Sequence, residues 1–229
     1  MAEFIEVVPG LHRLALAPWD LLNVYLLDDV LVDAGGRLSA GRILRALGGR
    51  RVAGLALTHA HPDHQGGSHA VCEALEIPLW CGRADRKAVE TGDASLLYPD
   101  PGALLPRLAR RVAGPAHPVD RALREGDVVG GFTVLETPGH TPGHLAFWRE
   151  RDRALVLGDV LFHRSPLTLR KGIVEPYRFL VHDYALNRAS LRRLAELEPE
   201  LICFGHGPPL REPIRVRNYV AALRPATLG

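Results

Sequence analysis

The sequence has little net charge, few cysteines and no long apolar segment, and each shortage excludes a class of protein. A formal net charge of +2 is too small to predict binding to nucleic acid or to an anionic membrane. No apolar run approaches the length of a membrane span, and the acidic residues 1–6 do not resemble a signal peptide. We therefore expect a small-molecule substrate, with no nucleic acid and no membrane as partner.

The cysteines Cys72, Cys81 and Cys203 are an odd number and have no C-x-x-C spacing. Such cysteines are typical of reduced side chains in a cytoplasmic protein. The composition, 47% hydrophobic and 24% charged, is ordinary for a globular protein. Because no repeat, low-complexity tract or linker interrupts the chain, we predict a single domain over residues 1–229. The sequence indicates no particular oligomeric state.

Metal-type side chains are most concentrated where an apolar strand, predicted at residues 52–57, ends. Three histidines and one aspartate follow it in the pattern H-x-H-x-D-H: His59, His61, Asp63 and His64. An extended backbone sends alternate side chains to one side, so His59 and His61 can face one ion. The chain then turns, so Asp63 and His64 can face a second position. Imidazole and carboxylate ligands favour zinc, iron or manganese over calcium or magnesium.

Three further apolar strands end in a similar way, each in a histidine or aspartate beside glycine or proline. These residues are His140 in T-P-G-H-T-P-G-H, Asp159 in G-D-V-L-F and His206 in G-H-G-P-P. A sheet collects strand ends along one edge, so we expect these side chains to converge with the H-x-H-x-D-H cluster. The sequence thus predicts a metal centre at the edge of one sheet.

Two other residues near these motifs have more than one interpretation. Asp33 follows a predicted strand and precedes glycines, so it is either a turn residue or an acceptor that orients a metal-binding histidine. His144 repeats the P-G-H pattern four residues after His140, and we expect it to support the ligands or the hairpin rather than to bind metal.

Strands and helices alternate along the rest of the chain, apart from two irregular stretches at 82–118 and 164–182. Strands are predicted at 5–8, 11–16, 23–27, 30–32, 77–81, 127–129, 132–136, 145–148, 154–157 and 201–204, and helices at 39–47, 66–75, 85–90, 104–112, 185–197 and 212–223. Long irregular stretches often cover a substrate, although the first can equally be a structural helical insertion. The candidate pocket residues are His163, Arg164, Arg170, Tyr177 and His182. A tyrosine hydroxyl can stabilise an oxyanion and an arginine can bind an anionic group, so we expect a substrate with an anionic end.

The four motifs, in this order, resemble the metallo-β-lactamase superfamily, and are most similar to its branch of glyoxalase II and related thioester, lactone and phosphodiester hydrolases. The resemblance implies an α+β fold, a four-layer αβ/βα sandwich with two metal ions at one edge. The implied ligands are His59, His61 and His140 for one ion, Asp63, His64 and His206 for the other, and Asp159 between them. Asp33 matches the family's early aspartate, which buttresses the metal loop. Zinc is the expected metal, with iron or manganese as alternatives.

Departures from individual relatives narrow the expected activity. The lactamase zinc sites lack an aspartate like Asp159, and flavodiiron proteins have glutamate where His61 stands. Glyoxalase II shares Phe162, but it continues with a G-C-G-R-type stretch and a C-terminal glutathione-binding domain. This chain reads H-R-S-P from His163 and ends soon after His206. A glutathione thioester is therefore not expected, and the chain has no room for the inserted domain of the related nucleases.

The expected function is hydrolysis of a small thioester, lactone or other ester by a metal-bridging hydroxide. Two ions roughly 3.5–4 Å apart lower the pKa of a shared water from 15.7 to about 7, and Asp63 and Asp159 are the expected catalytic carboxylates. No Ser-His-Asp or Cys-His nucleophile is evident. Two alternatives stay open: a mononuclear iron oxidoreductase resembling persulfide dioxygenases, and a metal-binding module without turnover.

Overall fold

A computed structural model describes residues 3–223, and it confirms the predicted α+β class. The strands are β1 (Ile5–Val8), β2 (Leu11–Ala15), β3 (Asn23–Leu27), β4 (Val30–Val32), β5 (Gly54–Ala56), β6 (Leu79–Gly82), β7 (Arg121–Leu123), β8 (Val128–Val129), β9 (Phe132–Glu136), β10 (Leu145–Arg149), β11 (Ala154–Val156), β12 (Phe162–Arg164), β13 (Lys171–Val174) and β14 (Leu201–Cys203). The helices are α1 (Ala40–Leu47), α2 (Pro62–Gln65), α3 (Ser68–Leu75), α4 (Arg86–Thr91), α5 (Leu104–Val112), α6 (Tyr184–Glu196) and α7 (Pro213–Ala222).

Two sheets form the centre of the fold. The first has the strand order β1-β2-β3-β4-β5-β6-β7, antiparallel from β1 to β4 and parallel from β4 to β7. The second has the order β14-β11-β10-β9-β8, with β14 parallel to β11 and the other neighbours antiparallel. Strands β12 and β13 form a separate hairpin.

The alternation of side chains along each strand produces four layers. In β3, Tyr25 and Leu27 pack between the two sheets, against residues such as Phe132 and Phe147 of the second sheet. The neighbouring Val24 and Leu26 of β3 face the opposite way, toward α1, α3, α4 and α5. The outer face of the second sheet packs against α6 and α7. Because successive residues of a strand face opposite sides, every apolar strand can contribute to two cores.

The expectation that the ligand-ended strands share one sheet is wrong. Strand β5, which precedes the H-x-H-x-D-H cluster, belongs to the first sheet, whereas β9, β11 and β14 belong to the second. Strands β9 and β11 are each antiparallel to β10, and β14 is parallel to β11, so these three strands end at the same edge. The metal centre therefore lies where the edges of two stacked sheets meet. The sequence could not predict this, because an apolar pattern indicates a strand but not the sheet to which the strand belongs.

Local structure departs from the sequence prediction at three further places. The helix expected at 66–75 begins only at Ser68, as α3, and a separate short helix, α2, precedes it across Gly66 and Gly67. Ser39, expected from the sequence to cap the helix that runs to Leu47, precedes α1 but makes no side-chain capping bond. The stretch 164–182 contains β13 and a 3-10 turn. Among residues 3–223, no helix combines the length and the apolar character that a membrane span requires.

Candidate metal centre

Three buried histidines form the first ligand set. His59 and His61 follow β5 in extended backbone, and His140 lies in the turn between β9 and β10. The Nδ1 atom of His61 is 2.9 Å from Nε2 of His140. One nitrogen from each of the three rings lies within 4.8 Å of the others. Three imidazole nitrogens at this spacing can bind one metal ion.

Asp63, His64 and His206 form the second ligand set. Asp63 and His64 are on α2, where Pro62 takes the first helical position, as its fixed φ favours. The Oδ2 atom of Asp63 is 3.9 Å from Nε2 of His64 and 3.4 Å from Nε2 of His206. Nδ1 of His206 donates to the carbonyl of Leu21, so the proton that this ring releases on binding a metal comes from Nε2, which faces the centre.

Asp159 lies between the two sets. Its Oδ2 atom is 3.8 Å from Nε2 of His59, 3.6 Å from His140, 3.4 Å from His64 and 3.1 Å from His206. One carboxylate oxygen thus faces histidines of both sets, as a bridging ligand would. A Cβ at Gly205 would come within 2.1 Å of Oδ1 of Asp159. The glycine before His206 is therefore required for the approach of this carboxylate.

Asp33 orients ligands of both sets. It accepts the Thr58 amide (2.8 Å), the Thr58 hydroxyl (2.8 Å) and Nδ1–H of His64 (2.9 Å). Because the Thr58 hydroxyl donates to Asp33, its oxygen accepts Nδ1–H of His59 at 3.0 Å. Both histidines therefore turn Nε2 to the centre, where neither Nε2 has a hydrogen-bond partner and where each neutral ring can offer a lone pair. Asp33 also has a positive φ of 66°, a conformation that marks a constrained position.

His144 contacts the centre without joining either ligand set. Its Nε2 accepts the backbone amide of Asp159 at 3.1 Å. Its Nδ1–H therefore donates to the Thr137 hydroxyl at 2.8 Å. Burial lowers the pKa of His144 to about 3, which keeps the ring neutral for both bonds. This neutral ring holds the backbone of Asp159 in place.

Asp85 is a positioning residue that sequence reasoning missed. Its buried carboxylate accepts the Ala60 amide (3.1 Å), the Thr141 hydroxyl (2.6 Å) and the Gly143 amide (2.7 Å). It therefore ties the loop of His59 and His61 to the turn that carries His140. Burial raises the pKa of Asp85 to about 6, so it is ionised at neutral pH. In sequence it is an ordinary aspartate at the start of a helix, so no local signal distinguishes it.

The two ligand sets differ in charge when no metal is bound. Burial lowers the pKa of His59 and of His140 far below its usual value, and neighbouring histidines lower it further. Burial also lowers the pKa of His206, but Asp159 and Asp63 raise it more, to about 10. Asp159, Asp33 and Asp63 likewise raise the pKa of His64 well above its usual value. The first set is thus neutral and ready to bind a cation, whereas the histidines of the second set must release protons first.

Parts of both irregular stretches lie beside the first ligand set. The ring of Tyr98 is 5.3 Å from the ring of His61. The amide of His182 donates to the carbonyl of His140 (3.1 Å), and its Nδ1 is 3.2 Å from the Leu97 carbonyl. Stretches 82–118 and 164–182 therefore meet next to the centre.

The remaining candidate pocket residues make their contacts elsewhere. His163 bonds to the carbonyl of Pro208 at 2.8 Å, while the preceding Phe162 packs on His206 at 4.9 Å. Neighbours in a strand face opposite sides, so His163 does not face the ligands, and its place in a substrate pocket stays a prediction.

Arg164, Arg170 and Tyr177 also lie apart from the ligands. Arg164 donates to the Leu169 carbonyl within its own hairpin, and Arg170 is exposed. The Tyr177 hydroxyl bonds to Ser165 at 2.6 Å. Within residues 3–223, no side-chain hydrogen bond or ion pair joins these three residues to a ligand, and their place in a substrate pocket stays a prediction.

Comparisons with known proteins find a matching family, related sequences and related solved structures. A family model for the metallo-beta-lactamase superfamily matches residues 17–206. Probable metallo-hydrolase YflN of Bacillus subtilis is 28% identical over 234 residues, covering 90% of this chain and 86% of its own length. Hydroxyacylglutathione hydrolase of Methylobacterium nodulans is 34% identical over 231 residues, covering 89% and 77%. The solved structure of TTHA1623 in a di-iron-bound form matches with a TM-score of 0.67 at 33% identity, covering 87% and 93%.

Proposed function

Since the chain belongs to the metallo-beta-lactamase superfamily, we propose that it hydrolyses a small thioester, lactone or other ester at a centre of two metal ions. The observation that carries the proposal is the position of Asp159. Its Oδ2 atom lies between 3.1 and 3.8 Å from Nε2 atoms of both histidine sets. A centre for one ion would not explain why Asp63, His64 and His206 form a second set of ligand-type side chains.

The donor atoms fit divalent metals. Nε2 of His59 and of His64 and Oδ1 of Asp159 are buried without a hydrogen-bond partner, an arrangement that is costly unless a cation compensates it. Imidazole with carboxylate favours zinc, and also suits iron or manganese. Two such ions would activate a water at neutral pH and polarise the carbonyl of the ester.

Asp63 and Asp159 have different roles in this proposal. The side chain of Asp63 is 50% exposed, whereas that of Asp159 is 4% exposed. Asp159 joins the two halves of the centre and holds them at a fixed distance. Asp63, on the solvent side, can take up the proton that the attacking water releases. No serine or cysteine nucleophile is needed.

Substrate choice belongs to the stretches 82–118 and 164–182, because the ligand motifs recur in enzymes with different substrates. Tyr98 covers His61 with its ring, and His182 connects the two stretches beside His140. Loops on a rigid scaffold usually determine specificity. The three cysteines are unpaired, which suits a reducing compartment, and we place the enzyme in the cytoplasm.

Metal analysis combined with a substrate screen tests the proposal. The protein is loaded with zinc, iron or manganese, the bound metal is counted, and thioesters, lactones and simple esters are offered. We expect two ions at this centre in each chain, and turnover that Asp159→Asn abolishes. The matched control is Asp29→Asn, since Asp29 is exposed in the turn between β3 and β4 and lies outside both stretches. One iron per chain with oxidation of persulfides, or metal binding without any turnover, would overturn the hydrolase proposal.

A further inference from the structure

A second cluster of metal-type side chains lies outside the centre. His69 and Glu73 are four residues apart on α3, so they lie on the same face of the helix. His117 approaches them from the stretch that precedes β7. Nδ1 of His117 is 3.1 Å from Nδ1 of His69 and 3.9 Å from Oε1 of Glu73. The three residues share no side chain with either ligand set of the centre.

We propose that His69, Glu73 and His117 bind one divalent transition-metal ion of the zinc type, at a site separate from the catalytic centre. One donor atom from each residue lies within 4.8 Å of the others. Two nitrogens bound to one tetrahedral zinc at about 2.1 Å are roughly 3.4 Å apart. The observed 3.1 Å between the histidine nitrogens is close to that separation.

The direction of the two rings supports binding of a cation. Both histidines turn Nδ1 toward the same point, and Glu73 adds a negative charge on that side. Without a metal, one ring must carry a proton on Nδ1 and the other a lone pair. With a metal, both nitrogens donate lone pairs, and the glutamate supplies the third ligand found in His2Glu zinc sites.

Exposure and protonation also suit a metal site. The side chain of His117 is 10% exposed, whereas that of Glu73 is 66% exposed, so an ion can enter from solvent and keep a water ligand. Burial lowers the pKa of His117, and His69 lowers it further. His117 is therefore neutral at neutral pH, as a metal ligand must be.

The position of the site gives the ion a structural consequence. Gly114, shortly before His117, packs so closely on the chain after α2 that a Cβ there would come within 2.4 Å of the Gly66 carbonyl. An ion joining His117 to α3 would clamp the end of stretch 82–118 beside the loop that carries the catalytic ligands. We expect bound metal at this site to stabilise the fold without entering the reaction.

Counting zinc tests the site directly. The protein is dialysed against buffered free zinc, and the metal it binds is measured by mass spectrometry. The same is done for the variants His69→Gln, His117→Gln and Glu73→Gln. Glu76→Gln is the matched control, because Glu76 is also exposed and follows three residues later. We expect each variant to bind one equivalent less than wild type, and the control to bind the same amount. The deficit of one equivalent does not depend on whether the catalytic centre holds one ion or two.

Thermal unfolding provides a second readout. With the centre already loaded, further zinc should raise the unfolding midpoint of wild type and of Glu76→Gln, because a ligand that binds only the folded state stabilises it. It should leave the midpoints of His69→Gln and His117→Gln unchanged, while their metal content before the added zinc matches that of wild type. Equal zinc content in wild type and all variants, or a midpoint shift that the variants retain, would overturn the proposal.

Discussion

Replacing Asp85 tests whether a residue that is not itself a metal ligand holds the first ligand set in position. Its carboxylate is fully buried and accepts three hydrogen bonds from two loops. Asp85→Ala removes the acceptor and leaves all three donors buried. Asp85→Asn keeps one oxygen, which can still accept from Ala60 and Thr141, but it turns an amide toward the Gly143 N–H.

The structure sets the size of both effects. A buried donor that loses its partner costs about 1–3 kcal/mol. Asp85→Asn orphans one donor, so we expect a loss of roughly 1–3 kcal/mol in the free energy of unfolding. Asp85→Ala orphans three, so its loss should exceed roughly 3 kcal/mol. The expected order of the two losses in stability follows from the number of donors left without an acceptor and not from side-chain volume.

The Asp85 variants should lower metal affinity mainly at the first ligand set and less at the second. Asp85 bonds to the loop of His59 and His61 and to the turn of His140, but to no residue of the second set. Loss of a partner that orients metal ligands typically lowers affinity about 10–100-fold. We expect such a loss for one of the two ions, measured by competition with a chelator, and a smaller change for the other.

Denaturant unfolding and metal competition are compared with Asp93→Asn as the control. Asp93 is also an aspartate of the stretch 82–118, but its carboxylate bonds to Ser95 within its own turn. If Asp85→Asn keeps the stability and both metal affinities of wild type, the assigned role of Asp85 is refuted. Equal weakening of both ions would likewise contradict a link to the first set alone.

Four other predictions follow from the centre and its surroundings. Asp159→Ala should lose one bound ion and most turnover while circular dichroism stays native; unchanged metal content would show that Asp159 does not bridge. Gly205→Ala should have a similar effect on metal content, because its Cβ would come within 2.1 Å of Asp159; full metal loading would contradict this clash. Chelated protein should lose stability as the pH rises from 6.5 through about 10, where His206 deprotonates; an equal slope in His206→Gln would rule this out. Arg164→Ala should change the KM of anionic and neutral esters alike, because Arg164 bonds within its hairpin; a selective rise for the anionic ester would place Arg164 in the pocket.

Short-range patterns in the sequence determined much of this protein. The alternation of His59 and His61 in extended chain, and the turn before Asp63 and His64, depend only on neighbouring residues. The apolar runs predicted β3 and β4 with the bounds that the structure has, since turn residues stand at their ends. The family motifs added Asp33, whose contact with His64 spans 31 residues. These features can be predicted because each depends on adjacent residues or on a motif that recurs in the family.

Only the tertiary structure decided which distant groups meet. The ligand strands lie in two sheets because packing, not periodicity, assigns a strand to its sheet. Asp85 reaches Gly143 across 58 residues, and His69 reaches His117 across 48, with nothing in the flanking sequence to indicate either contact. His163 faces away from the ligands because alternation along β12 turns Phe162 toward His206. Such contacts depend on the relative placement of whole elements, which the sum of many weak packing interactions determines.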